Sequence, residues 1–186
     1  NSKMTDFCKQ SIDDVLLDEC LEEIASDDMD GFRKLYELTS HILYGFSLSI
    51  VKNEYTAQDC LHDSYIKIIE AAKTYVSKSK PLAWMLTITR NTCLQSLREN
   101  RKQANLTEEQ WILQAHEEDV SAVDREFLNQ CLNQLDDKER QVIMLHSLTG
   151  YKFKEIAQIL KLPLSTVLSR HNRAIKKLQQ IVKQEE

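Results

Sequence analysis

The sequence predicts an all-α protein of two small helical domains joined by a flexible linker, and three observations support this prediction. Only 3 Gly and 2 Pro occur in 186 residues, which leaves little turn chemistry for strands. Apolar residues recur at helical spacing. Basic and acidic side chains number 2 and 10 in residues 1–30, 11 and 6 in 31–102, 1 and 9 in 103–137, and 10 and 4 in 138–186. The blocks thus carry net charges of −8, +5, −8 and +6, so each basic module follows an acidic segment.

Bulk composition narrows the class of protein. The five cysteines, at positions 8, 20, 60, 93 and 131, are widely spaced and form no C-x-x-C pair. This pattern suggests neither a disulfide framework nor a thiolate metal site, and it is typical of a reducing cytosol. No apolar run approaches the roughly 20 residues that span a bilayer. We therefore expect a cytoplasmic protein with no membrane insertion, no cofactor and no metal.

Residues 1–26 form the first acidic segment, which we predict to be an N-terminal extension. Two roles are open for it: it shields a basic DNA-binding face until a partner displaces it, or it is simply solvated. Its carboxylates include Asp13, Asp14, Asp18, Glu19, Glu22 and Glu23.

The first basic module, residues 27–102, has the apolar periodicity of amphipathic helices. The first row comprises Phe32, Leu35, Thr39, Ile42, Leu43, Phe46 and Ile50. The second comprises Ala57, Leu61, Tyr65, Ile68 and Ala72.

The segment "PLAWMLTITRNTCLQSLRENRK" adds a helix with a tryptophan on its polar side. At about 100° per residue its core row is Leu82, Met85, Leu86, Thr89, Cys93 and Leu97. The opposite row is Trp84, Thr87, Asn91, Gln95 and Arg98, flanked by Arg90, Arg101 and Lys102. An aromatic ring among amides and cations can stack on an unpaired base. The alternative is that Trp84 packs under the loop at 74–80 or against the other domain.

An acidic linker follows at 103–122, where "QWIL" is either a short helix between the domains or an extended tether. A helix from about 123 to 135 then begins the second basic module, residues 123–186. Asp136 and Glu139 have capping-box spacing, so another helix starts there.

The second module also has the pattern of a helix-turn-helix. Phe153, Ile156, Ala157 and Leu160 form one apolar face, and a second helix starts near Pro163. Lys161 occupies the turn position that often takes Gly, so it must adopt a strained backbone or shift the turn. His171 lies on the inward side, as a core or interdomain histidine. The outer face can contact base edges and phosphates through Ser165, Thr166, Ser169, Arg170, Asn172, Arg173 and Lys176. A plain helical hairpin with a solvated basic face is the alternative.

Together, "AQDCLHDSYIKIIE", "PLAWMLTITRN" and "EIAQILKLPLSTVLSRHNRA" resemble the extracytoplasmic-function sigma factors of bacterial RNA polymerase over about residues 27–184. The resemblance implies a region 2-like domain at 27–102, a linker, and a region 4-like domain at 123–186. The first would bind core polymerase and melt the −10 element, and the second would recognise the −35 element.

The resemblance also implies roles for single residues. The clamp helices of the polymerase would contact Asp59, His62, Asp63, Ile66 and Glu70. The −10 strand would contact Trp84, Thr87, Asn91, Gln95, Arg98 and Arg90, and the loop "TYVSKSKP" would receive a flipped base. The outer face of the helix near Pro163 would contact the −35 element. The implied partners are core RNA polymerase (clamp helices and flap), promoter DNA and an anti-sigma factor. The chain departs from the family's usual residues at His62, Asp63, Lys161 and Leu168.

The free energy of promoter opening indicates that a large partner is needed. Opening about a dozen base pairs costs on the order of 10–20 kcal/mol at roughly 1.4 per step, whereas one stacked base returns about 1–3 kcal/mol.

Three other classes of protein are alternatives to a sigma factor. A dimeric helix-turn-helix regulator of operators would use its first 130 residues as a sensor. A helical adaptor would not bind DNA. The case for a hydrolase depends only on the dipeptide His62–Asp63, and the sequence does not show the further ligands that a metal site needs.

Overall fold

The structure is a computed structural model, and it describes residues 12–78, 80–103 and 130–184. Within these ranges there is no strand, so the predicted all-α class is confirmed. Most of the predicted linker and of the helix at 123–135 lie outside the described residues. Within the same ranges no helix is long and apolar enough to cross a membrane. The helices with both ends described are α1 (Asp14–Ala25), α2 (Met29–Val51), α3 (Glu54–Ala72), α4 (Pro81–Gln103), α5 (Asp137–Thr149), α6 (Phe153–Leu160) and α7 (Leu164–Gln184).

Helix α1 exposes Glu19 and Glu22 together with Val15 and Leu16, and its buried side is apolar. Asp13 caps it, since its side chain accepts a hydrogen bond from the Val15 amide at 3.0 Å. The helix crosses α2 closely at Gly31, where a Cβ atom would lie 2.5 Å from Cβ of Glu23. It also packs against α3 and α4. The predicted boundary at residue 26 therefore divides helices that share one core. The buried side chains of α1 are Leu17, Cys20, Leu21 and Ile24.

Helix α2 is the central helix, and its residues 45–51 are all buried. Two polar side chains lie in this stretch, and both satisfy their hydroxyl groups locally. Ser47 donates to the carbonyl of Leu43 at 2.7 Å, and Ser49 donates to that of Phe46 at 2.6 Å. Helices α1, α3 and α4 contact α2 and form with it the N-terminal group, and α2 is also contacted by α5, the first helix of the C-terminal group (α5, α6 and α7).

Helices α3 and α4 complete the N-terminal group. The Asn53 side chain caps α3 by accepting a hydrogen bond from the Thr56 amide at 3.0 Å. Tyr65 on α3 is buried, and its hydroxyl lies 2.7 Å from the hydroxyl of Thr39 on α2. Burial raises the pKa of Tyr65, so this group is a neutral hydrogen-bonding partner in the core. Helix α4 begins at Pro81, a residue suited to a first turn.

The capping box predicted at the start of α5 is confirmed. The Asp136 carboxylate accepts a hydrogen bond from the Glu139 amide at 2.8 Å, and Glu139 accepts one from the Asp136 amide at 3.2 Å. Helices α6 and α7 then form the predicted helix-turn-helix. They bury Ile156 and Ala157 on α6, and Val167 and Ala174 on α7.

The turn between α6 and α7 closes without glycine. Lys161 adopts the left-handed conformation, with φ 54° and ψ 48°. The amide of Leu162 donates to the carbonyl of Ala157 at 3.0 Å, which completes a Schellman-type end. The turn thus keeps its usual length, so of the two alternatives for Lys161 the structure has the strained backbone and not the shifted turn.

His171, predicted to be a core or interdomain histidine, is partly buried in an aromatic cluster of the C-terminal group. Its ring centroid lies 4.6 Å from that of Phe153 and 5.4 Å from that of His146. Burial lowers the pKa of His171, and the charge of His146 lowers it further. A neutral ring is therefore favoured in this cluster.

The left-handed residue at the turn gives a stability prediction. A left-handed backbone costs roughly 1–2 kcal/mol in a residue other than glycine. Part of this gain in the free energy of unfolding is lost, because glycine increases the conformational entropy of the unfolded chain. We expect Lys161→Gly to raise the free energy of unfolding by about 1 kcal/mol, measured by urea denaturation.

The matched control for this prediction is Gly150→Lys. Gly150 ends α5 with φ 67°, and a Cβ atom there meets no described atom within 4 Å. Backbone strain alone should then lower the free energy of unfolding. A loss of stability in Lys161→Gly would contradict the assignment of strain to this turn.

Candidate nucleic-acid and partner interfaces

The side chains predicted to dock a partner lie in one exposed row along α3. Their spacing of three, four and seven residues places them on a single face. Ile66 is 55% exposed, with acidic side chains around it. All five predicted residues are exposed, namely Asp59, His62, Asp63, Ile66 and Glu70.

Tyr55 belongs to the same row and was missed in the sequence. It lies four residues before Asp59, on the first turn of α3, and is 81% exposed. Its spacing from Asp59 was the available signal. An exposed tyrosine and an exposed isoleucine in an acidic row form an amphipathic surface suited to a partner with cations and apolar side chains.

The row predicted on α4 is present, with a graded exposure. Trp84 and Thr87 are partly buried, whereas Asn91, Gln95 and Arg98 are exposed. The Thr87 hydroxyl donates to the carbonyl of Ala83 at 3.0 Å. The Trp84 end of the row can stack on a base. The exposed amide and guanidinium groups of Asn91, Gln95 and Arg98 at the other end can form hydrogen bonds.

A cation from α3 extends this row. The Lys67 ammonium donates to Thr92 Oγ1 at 3.2 Å and to Gln95 Oε1 at 3.5 Å. Gln95 in turn donates to Glu99 at 3.1 Å. Lys67 was not among the predicted residues, because only the packing of α3 on α4 brings it to this position.

Arg90 does not lie in the row with Trp84. Its position is about 120° around the helix from Trp84, beside the core face. The Nε atom is enclosed and has no hydrogen-bond partner among the described residues. Burial lowers the pKa of Arg90. Its inclusion among strand-contacting residues is therefore not supported by this geometry.

Trp84 makes both contacts of the packing alternative, with the loop at 74–80 and with the C-terminal helices. Its ring packs on Tyr75 of the preceding loop, with centroids 4.5 Å apart. It also lines a groove of about 570 Å³ whose other wall belongs to the C-terminal helices. The groove residues beyond Trp84 include Thr87, Lys78 and Lys80 on one side, and Tyr151, Glu155, Gln158 and Ile159 on the other.

The row predicted on α7 is largely exposed. Ser165, Ser169, Asn172, Arg173 and Lys176 face solvent, whereas Thr166 and Arg170 are partly buried. Leu164 and Leu168 are also exposed, so the surface has apolar positions among its hydroxyls and cations. Such a surface can contact base edges and thymine methyl groups as well as phosphates.

A buried carboxylate holds α7 in place. Glu139 on α5 is 1% exposed and accepts a hydrogen bond from Lys177 at 2.8 Å. Arg173 Nε lies 4.0 Å from the same carboxylate. Contacts with α5, the helix that starts at the capping box, thus fix the orientation of α7.

The two helical groups meet through α2 and α5. Leu148 Cδ1 would lie 2.9 Å from a Cβ atom on Gly45, so the helices approach closely there. Lys52 at the end of α2 pairs with Asp137, which also pairs with Arg140 at 3.0 Å. Burial tends to raise the pKa of Asp137, but the hydrogen bonds and charges of Lys52 and Arg140 hold it below the usual value.

No group of three or more His, Cys, Asp or Glu side chains within residues 12–78, 80–103 and 130–184 could hold a metal ion. The dipeptide His62–Asp63, which suggested a hydrolase, lies exposed in the α3 row. The cysteines among the described residues, Cys20, Cys60, Cys93 and Cys131, are buried and are not joined to one another by disulfides.

Comparison with known families gives two matches. Residues 35–103 match the family described as Sigma-70 region 2, and residues 131–180 match Sigma-70, region 4. The first range contains the α3 and α4 rows, and the second contains the helix-turn-helix.

Curated relatives and solved structures agree with these matches. The chain is 27% identical over 172 residues to the ECF RNA polymerase sigma factor SigK of Mycobacterium ulcerans, covering 87% of this chain and 91% of that protein. Identity to SigK of Mycobacterium sp. (strain KMS) is 25% over 171 residues, covering 87% and 88%.

Two solved structures have a similar fold. One is the sigma factor RpoE of Bartonella quintana with the anti-sigma factor NepR, at a TM-score of 0.69 and 24% identity, covering 83% of this chain and 98% of that one. The other is CnrH with the cytosolic domain of CnrY, at a TM-score of 0.63 and 19% identity, covering 94% and 99%.

The contact between the helical groups gives an electrostatic prediction. In a double-mutant cycle of Lys52→Asn and Asp137→Asn, we expect a coupling of about 0.2–1 kcal/mol in the free energy of unfolding. Asparagine tolerates the left-handed backbone that Lys52 adopts. The coupling should vanish near 1 M salt, where screening acts over about 3 Å.

The pH dependence of this pair has a definite sign. The stabilisation by Asp137 is present above the pKa of an unfolded aspartate, about 3.9, and is lost as the pH falls through its lowered folded-state pKa. The exposed pair Lys73–Asp27, within the N-terminal group, is the matched control. A coupling that persists in 1 M salt would mean that the contact is not an ion pair.

Proposed function

Since the chain belongs to the extracytoplasmic-function sigma factors of the sigma-70 family, we propose which of its surfaces carries each step of transcription initiation. It is a transcription initiation factor that directs core RNA polymerase to promoters. Sigma factors act as such factors rather than as enzymes. We place its action in the cytoplasm, where the polymerase works.

We assign core-polymerase docking to the α3 row. Asp59, Asp63 and Glu70 present carboxylates around the exposed Ile66. Cations on the polymerase clamp helices would pair with the carboxylates, and an apolar side chain would cover Ile66. Tyr55 and His62 extend this contact along one side of the row. The protein alone cannot supply the free energy that opens promoter DNA, and its complex with the polymerase would supply the remainder.

The α4 row receives the unpaired −10 strand. Trp84 offers a ring face for one base, and Asn91, Gln95 and Arg98 offer hydrogen bonds and charge along the strand. Lys67 adds a cation beside Gln95. The observation that carries the proposal is this single row, in which a half-buried tryptophan leads into exposed amides and a guanidinium.

The α7 row contacts the −35 duplex. Its hydroxyls and Asn172 face base edges, while Arg173 and Lys176 are placed for phosphates. The buried Glu139 fixes the register of this helix through Lys177. The second domain in this proposal comprises residues 123–186, as the sequence predicted.

The arrangement of the two groups fits a resting state. Tyr151 and Glu155 of the C-terminal group face Trp84 across the groove. A DNA strand at Trp84 would need this wall to move away. Polymerase binding would therefore separate the two groups before or during promoter opening.

We also propose an anti-sigma protein as a partner. The structural neighbours RpoE and CnrH were solved with NepR and with the cytosolic domain of CnrY. The stand-alone operator-binding regulator is less favoured, because it gives no role to the exposed α3 row.

The main test separates docking from opening. We expect Asp63→Arg to weaken binding to core polymerase at least about tenfold, because like charges across an interface cost several kcal/mol. Trp84→Ala should leave this binding unchanged and slow open-complex formation by about 5- to 150-fold, the equivalent of 1–3 kcal/mol per stacked base.

Fluorescence anisotropy with labelled protein measures the binding to core polymerase. Opening is measured with 2-aminopurine in a promoter that the wild-type holoenzyme selects from random DNA. Glu37→Arg, an exposed charge reversal on α2, is the control. No saturable binding of the wild-type protein to core polymerase would overturn the proposal as a whole, and lost binding in Trp84→Ala would mean that the face is misassigned.

The −35 contact is tested through salt dependence. We expect Arg173→Ala to weaken holoenzyme binding to the selected promoter, and to reduce the slope of log affinity against log salt by about 0.9 if it contacts a phosphate. A base-edge contact would instead relax sequence preference with the slope unchanged. Lys183→Ala, in the last turn of α7, is the control. Wild-type affinity and preference in Arg173→Ala would remove Arg173 from the interface.

A further inference from the structure

The acidic helix α1 is bonded to the loop that precedes α4. Both oxygens of the Asp18 carboxylate accept hydrogen bonds from this loop. Tyr75 Oη donates to Oδ1 at 2.9 Å, and Ser77 Oγ donates to Oδ2 at 2.6 Å. These residues are 57 and 59 positions away in sequence, so the bonds join separate parts of the fold.

Helix α1 provides a firm base for these bonds. Leu17, next to Asp18, is fully buried, and Cys20 and Leu21 on the following turn are 1% exposed. Packing against α2, α3 and α4 therefore fixes the position of the Asp18 backbone. The loop, by contrast, is exposed at Val76, Ser77 and Lys78.

The Asp18 bonds extend to Trp84. The Tyr75 ring packs on the Trp84 ring at 4.5 Å between centroids, tilted by 40°. Burial, together with the hydrogen bond and the charge of Asp18, raises the pKa of Tyr75 to about 12. The phenol therefore keeps its proton at neutral pH and remains a donor to Asp18.

We propose that Asp18 is a positioning residue for −10 recognition, which rests on the function proposed for Trp84. Its carboxylate fixes Tyr75 and Ser77, and through them the shape of the loop and the plane of Trp84. The base accepted beside Trp84 is selected by that shape. The acidic helix α1 is thus a support for the strand-binding loop, in place of the shield or solvated extension considered from the sequence.

The chemistry explains why a carboxylate serves here. Two hydroxyl donors from one loop require two acceptor oxygens in one plane, which an ionised aspartate offers. Hydrogen bonds to a charged acceptor are shorter and stronger than neutral ones. An asparagine keeps the size of the side chain but offers only one acceptor oxygen, so it should hold the loop less firmly.

The test compares Asp18→Ala and Asp18→Asn in the full-length protein bound to core polymerase. Glu19→Ala removes the same charge from an exposed neighbouring position and is the matched control. We expect Asp18→Ala to slow opening of the selected promoter by about tenfold to a hundredfold, the cost of misplacing a contacting group. Asp18→Asn should have a smaller effect, and Glu19→Ala none.

Two further readouts separate positioning from general stability. Affinity for core polymerase should be unchanged in both Asp18 variants. Sequencing the DNA opened from a library randomised across the −10 element should show a weaker base preference in both variants and in Ser77→Ala. Ser77→Ala removes one hydroxyl from the exposed loop without altering α1.

The possible failures are distinguishable. If Trp84→Ala slows opening while the Asp18 variants and Ser77→Ala behave like Glu19→Ala, the inference about Asp18 is wrong and the assignment of Trp84 stands. If Trp84→Ala opens promoters at the wild-type rate, the α4 assignment fails first. If Asp18→Asn and Ser77→Ala lower polymerase affinity as much as opening, Asp18 serves the fold in general and the inference is overturned.

Discussion

The burial of residues 45–51 of α2 on all sides is the constraint on which the two helical groups depend. Helices α1, α3 and α4 contact α2, and α5 closes over it at Gly45. The hydroxyl groups of Ser47 and Ser49 are satisfied by the backbone of α2 itself, so no side of this stretch needs water, and a helix of this kind is buried on all sides. Separating the groups would therefore expose apolar side chains of α2 and Leu148, and this cost favours the closed arrangement in the isolated protein.

The closed arrangement links the three proposed surfaces. The groove that covers Trp84 is walled by the group that carries the −35 helix, while the α3 row stays exposed. A partner can then dock on α3 before the groups separate. Any free energy needed to open the groove lowers the apparent affinity of the strand for Trp84. Docking and strand binding are in this way coupled, although their contacts lie on different helices.

Much of the fold could be predicted from local patterns. The core rows of α3 and α4 and the capping box at Asp136 follow from spacing and residue type within one or two turns, whereas at Lys161 the sequence left a strained backbone and a shifted turn open. The buried row Leu17, Cys20, Leu21 and Ile24 was equally visible in the sequence, but the acidic charge of the segment masked its importance. The position of Arg90 beside the α4 row also follows from the helical period, whereas the enclosure of its Nε atom depends on packing that no local pattern shows.

What the sequence could not reveal are contacts between distant segments. Nothing local connects Asp18 with Tyr75 and Ser77, Lys67 with Gln95, or Lys52 with Asp137. Each pair forms only once the helices have packed, and packing depends on side chains far from the pair itself. The same holds for the groove beside Trp84, because its two walls come from helices on either side of the linker.

The acidic residues have two separate uses, which net charge alone conceals. Asp59 and Asp63 are exposed and available to a partner, whereas Asp18 and Glu139 lie inside contacts that orient strand- and duplex-binding elements. A carboxylate 4.0 Å from Arg173 partly offsets the charge that would attract a phosphate. The same carboxylate is 1% exposed, so it holds Lys177 in a fixed geometry against α5. The Glu139 carboxylate therefore weakens the nonspecific attraction of α7 to DNA, and it also holds the base-contacting side chains of α7 in one orientation.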